Sequence, residues 1–81
     1  MMDGNELNLY QIVKRAVEDQ IKSNNPPATR ETYERLLSEG NDEITAKEKI
    51  ASVIAESIYQ IMMEDRKIDE KIFSQKLASL K

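Results

Sequence analysis

The chain has 81 residues, 15 acidic and 12 basic, with a net charge of −3, a pI near 4.9 and neither His nor Cys. Without Cys there are no disulfides and no thiolate metal sites, and without His the usual general base and most transition-metal chemistry are missing. The acidic balance shows no basic stripe of the kind that supplies non-specific affinity for nucleic acid, so no nucleic-acid partner is expected.

The length suits one domain, and residues 1–81 are read as a single helical domain with 1–6 flexible. The N-terminus, MMDGNELNL, reads as neither a signal peptide nor a myristoylation site. No apolar run approaches the ~20 residues needed to span a bilayer. The expectation is a cytoplasmic chain with no membrane contact.

Four helical segments follow. The first is expected from about Leu9 to Ser23, with Asn8 as N-cap and Gln11 in a capping-box position. Its inward face should carry Leu9, Tyr10, Ile12, Val13, Ala16, Val17 and Ile21. Asn24-Asn25-Pro26-Pro27 ends it, because a residue before Pro avoids the α region. The second helix starts within Pro26–Thr29, where Pro is tolerated, and stops near Glu39. Its apolar stripe is narrow: Tyr33, Leu36 and Leu37. Arg30–Glu34, Glu31–Arg35 and Arg35–Glu39 lie one turn apart and read as a solvated face. Gly40 suits the left-handed position after a helix end.

The third helix, Ile44–Met63, has no Gly or Pro. At about 100° per residue Ile50, Ile54, Ile58 and Ile61 fall on one line. Ala46, Ala51, Val53, Ala55 and Met62 widen the apolar arc to roughly 200°, against the ~100° stripe of a surface helix. Such a helix should be covered on two sides. Asp42 is its N-cap, with Thr45 and Glu48 as a rival capping box. The fourth helix runs from Glu70 to about Ser79, with Asp69 as N-cap, Ile68 and Phe73 as a hydrophobic staple, and Ile72, Leu77 and Leu80 on its face. A continuous helix from Asp42 onward is the rival, but Asp65 would interrupt its apolar stripe, so a break is favoured. The fold class is all-α, a small four-helix bundle-like domain with a long central third helix.

Landmarks recur in a recognisable order: Glu18–Ile21 (EDQI), Asn25–Pro27 (NPP), Tyr33–Leu37 (YERLL), Gly40 and Ala55–Tyr59 (AESIY). Over about Leu7 to Leu80 the chain resembles a family of bacterial helical domains of unknown function. The resemblance implies two His-x-x-x-His pairs, one on the first helix and one opening the third. Here those positions hold Tyr10 and Lys14, and Ile44 and Glu48, so a transition-metal site does not carry over. If the two helices still face each other there, Lys14 and Glu48 form an ion pair worth about 0–1 kcal/mol. The plainer alternative is that both are solvated.

Three further places stand out. Gln20 lies within the first helix's apolar arc and must find hydrogen-bond partners. It is either a ligand-orienting amide or, more plainly, one that satisfies backbone groups around Asn24–Pro27. Tyr59 and Met63 lie one turn apart on the otherwise polar side of the third helix. They are either a partner surface or a patch that the fourth helix folds back to cover. Glu56 could join Glu48 or Glu18 around a hard cation, but a solvated charge is the simpler reading, and no cofactor or metal is expected. The basic pair Arg66-Lys67 offsets Glu64-Asp65 near a helix end.

The functional expectation is a non-catalytic module for protein–protein interaction or structure, with a protein partner or a second copy (a homodimer) as occupant. A DNA-binding regulator is the alternative, because helix–Gly40–helix superficially resembles a helix-turn-helix. Its recognition helix would open with Asp42 and Glu43, which face phosphates unfavourably. An enzyme is not expected, since no convergent polar set lies on an apolar face.

Overall fold

The computed structural model describes residues 9–65, 67 and 69–81. It is all-α and bundle-like: α1 (Leu9–Ser23), α2 (Pro27–Ser38), α3 (Glu43–Glu64) and α4 (Glu70–Ala78). Residues 1–6, the cap at Asn8, Arg66 and the Ile68 half of the staple lie outside the described residues.

Local chemistry accounts for each junction. After α1, Asn24 adopts φ 56°, a left-handed conformation that Asn tolerates better than most residues. Its N–H donates to the Ile21 carbonyl and that of Asn25 to the Gln20 carbonyl, the paired bonds of a Schellman end. The Asn25–Pro26 peptide bond is cis, and Pro27 opens α2. The second helix closes the same way. Gly40 sits at φ 103°, its N–H donating to Leu37 and that of Asn41 to Leu36. The α3 N-cap is Asp42, whose carboxylate accepts the Thr45 N–H at 2.7 Å, so the rival start at Thr45 falls inside the helix. Asp65, at φ 53°, stops α3, and Asp69 caps α4 by accepting the N–H groups of Lys71 and Ile72. The chain therefore breaks at Asp65, which excludes the continuous helix.

The core joins all four helices. Val13 and Val17 of α1, Leu36 of α2, Ala46, Ile50, Ala51, Val53 and Ile54 of α3, and Phe73 and Leu77 of α4 are buried together. The apolar faces extend further in sequence than in burial. Leu9, Tyr10 and Ile12 on α1, Ile61 and Met62 on α3, and Ile72 on α4 are exposed, although each was expected on an inward or apolar face. On α3 the change comes late: Ile58 still packs against the core and shares a cavity wall with Gln20 and Phe73, whereas Ile61, Met62 and Met63 beyond it are exposed.

Three polar residues take core positions that the apolar pattern did not claim: Thr29, Thr32 and Ser57. Thr29, Thr32 and Leu36 are spaced as one helical stripe, so two of the three buried residues of α2 are threonine. Ser57 satisfies its hydroxyl by donating to the Val53 carbonyl one turn back.

Candidate interaction surfaces on the first and third helices

The places singled out in the sequence fall on two surfaces. The first is a cleft of about 270 Å³ between α1 and the start of α3. Tyr10, Lys14, Ile44 and Glu48 all line it, with Val17 and Ala51 as its apolar floor. The two helices thus do face each other where the resemblance would place histidines.

The ion pair that spans the cleft is a different one. Lys47 donates to Glu18 at 2.8 Å, and this contact raises the Lys47 pKa. Beside it the Tyr33 hydroxyl donates to Glu43 at 3.3 Å, and burial, then the Glu43 charge, raise the Tyr33 pKa. Lys47 also lies 5.7 Å from the Tyr33 ring centre, so one wall of the cleft is a connected polar network. Among the described residues no ion pair joins Lys14 to Glu48. Lys14 instead lies over the Tyr10 ring, 5.2 Å from its centre. The bridge runs from Lys47 to Glu18, one residue before the expected position on α3 and one turn after it on α1, because Lys47 reaches α1 and α2 at once, whereas Glu48 lines the cleft as an exposed side chain.

Other carboxylates that were weighed for a cation are also engaged. Glu18 holds Lys47, and Glu56 holds Lys76 of α4 at 2.9 Å. Among the described residues no group of three or more acidic side chains is placed to hold a metal.

Gln20 is half-buried, and its partner is a side chain rather than the turn backbone. The Thr29 hydroxyl donates to its Oε1 at 2.7 Å, tying α1 to α2. That places a side chain where the turn backbone was expected as the partner of its oxygen. Arg35 is likewise more than part of a solvated face. It bonds both Glu39 oxygens at 3.1 Å and donates to the Leu77 carbonyl at 3.1 Å, reaching the end of α4. Arg30–Glu34 forms at 3.5 Å, whereas Glu31 makes no ion pair with Arg35 among the described residues.

The second surface is the end of α3. Tyr59 is 56 % exposed, Met62 71 % and Met63 65 %, and the three share one side of the helix at the i, i+3, i+4 spacing. α4 does fold back, but Phe73 and Leu77 direct it onto the core and leave these side chains uncovered. One turn earlier Ala55 shares a groove with Leu9 of α1, which extends the apolar surface toward the α1 start.

A family model described as a domain of unknown function, DUF1841, matches residues 7–79. The chain belongs to this family. The match covers nearly the span over which the resemblance was seen. Comparison with curated proteins and with solved structures gives no match. Among the described residues no helix is long and apolar enough to cross a membrane.

Proposed function

We propose that this domain is a non-catalytic protein-interaction module and that the uncovered end of α3 is its docking face. The observation that carries the reading is the exposure of Tyr59, Met62 and Met63, three large side chains on one side of α3 that no other helix covers. Met and Tyr are enriched where interfaces are dry, because both offer large contact area and Met adapts its shape. The charged residues nearest the core are already engaged with one another, at Lys47–Glu18 and Lys76–Glu56, so they support the fold. The start of α3 gives the DNA-binding alternative little support. Asp42 is an exposed carboxylate whose pKa is lowered by the Thr45 N–H, and Glu43 follows it, so this end of the helix is negative.

The double variant Tyr59→Ser/Met63→Ser tests the reading through stability. A docking face contributes little to the fold that carries it, so thermal unfolding of the dilute variant should stay close to that of the unmodified chain. A loss comparable to that of a core truncation such as Ile50→Ala, independent of protein concentration, would mean that the face packs within the chain and would overturn the proposal.

A further inference from the structure

We infer that the occupant of the α3 end is a second copy of this chain, docked about a two-fold axis that passes near Met62. This rests on the docking-face reading and adds the partner and the geometry.

Symmetry sets the first requirement. In a two-fold contact the residues nearest the axis meet their own copies, so a charge at the centre would meet a like charge. Ala55, Tyr59, Met62 and Met63 carry none. On the flank one turn before Tyr59, Glu56 is held by Lys76 of the same chain at 2.9 Å, so it is already compensated when a second copy approaches, while Glu48 lies at the rim, in the groove of Leu9 and Ala55. A chain with net charge −3 can therefore bring this side against itself without placing an unpaired carboxylate at the centre.

Area sets the second. Large side chains exposed to this degree offer on the order of 100 Å² each. Tyr59, Met62, Met63 and the adjoining Leu9 then give roughly 400 Å² per copy, and two copies approach the ~1,000 Å² at which specific interfaces begin once a polar rim is added. An 81-residue chain without Cys also lacks one common reinforcement of a small core, and pairing supplies another.

The absence of Cys makes the geometry directly testable. Single-cysteine variants Tyr59→Cys, Met62→Cys and Met63→Cys place a thiol on the face, and Glu31→Cys on exposed α2 serves as the control. Native mass of the unmodified 9.3 kDa chain is measured by light scattering across a wide concentration range, and disulfide-linked dimer is followed under mild oxidation. Mass should rise toward twice the monomer value, and at least one face position should cross-link about tenfold faster than the control. The variant Tyr59→Ser/Met62→Ser should raise the apparent dissociation constant by about tenfold or more, as loss of central anchors does. A monomer at every concentration, with face cysteines linking no faster than the control, overturns the inference. A dimer that links no faster through the face and ignores Tyr59→Ser/Met62→Ser overturns it as well, because pairing then uses another surface. Either failure leaves the docking face to its own stability test, which does not depend on self-association.

Discussion

The first half of α3 and its last two turns have the same kind of sequence and opposite surroundings. Ile50 and Ile54 are buried between three helices, while Ile61, on the same line of the wheel, is 40 % exposed. All three are isoleucines on one line, so what differs is whether a neighbour covers them. Ile58 still packs against the core, and α4 brings Phe73 and Leu77 to that core while Met62 stays exposed. The lesson is that a hydrophobic arc marks surface that requires covering without saying which chain covers it. In this domain the middle of the arc is covered internally, and the proposed function follows from its uncovered edge at Met62 and the neighbouring Tyr59 and Met63.

The sharpest way to test that contrast is to truncate each half. Ile50→Ala removes a fully buried side chain and should cost about 2–5 kcal/mol. Domains of this size have roughly 4–12 kcal/mol in total, so chemical denaturation should show a variant near the edge of folding. Met62→Ala in dilute solution should stay within about 0.5 kcal/mol. Comparable losses at both sites would erase the distinction on which the docking face rests.

A middle-sized effect is expected where a polar group was buried inside the covered half. Thr29→Val keeps the shape of a fully buried residue and removes the donor to Gln20 Oε1, so it should lower stability by about 1 kcal/mol. The companion Gln20→Leu/Thr29→Val double variant removes both partners and should recover part of that loss. If Thr29→Val is neutral, the bond between α1 and α2 contributes little, and the covered half is held by apolar packing alone.

The smallest effect is electrostatic and lies at the N-terminal end of α3. The Thr45 N–H stabilises the Asp42 carboxylate and lowers its pKa below the ordinary 3.8. A carboxyl whose folded pKa is depressed contributes stability that is fully present above its unfolded value and is lost as pH falls through the folded one. Thermal unfolding followed from about pH 7 to about pH 2 should therefore show the unmodified chain converging on Asp42→Ala below about pH 4. A constant difference across that range would show that capping here does not depend on the charge.

Much of the architecture was legible in the residues because local rules decide it. Asp42 and Asp69 cap because a short acceptor reaches the free N–H groups of a first turn. Gly40 and Asn24 terminate because they tolerate positive φ. The cleft at Tyr10, Lys14, Ile44 and Glu48 was also foreseeable from the family resemblance, as a place where two helices face each other. The ion pair within it was not. Spacing shows which side of a helix a residue occupies, but Lys47 rather than Glu48 took the bridging role because it lies between α1 and α2 and can reach Glu18. Thr29 and Thr32 fall outside an apolar pattern because threonine is polar, although both are buried in the core and a hydroxyl such as Thr29's can find a partner there.

By itself, then, the sequence determined the four helical segments and the caps at Asp42 and Asp69 as candidates, since each follows from interactions within a few residues, while the continuous helix and the start at Thr45 stayed open until the backbone at Asp65 and the Asp42 side chain decided them. Only the tertiary structure decided which apolar residues are covered, which charges meet, and that Tyr59, Met62 and Met63 remain open. Those outcomes depend on where three other helices end in space, and no periodicity within one helix carries that information.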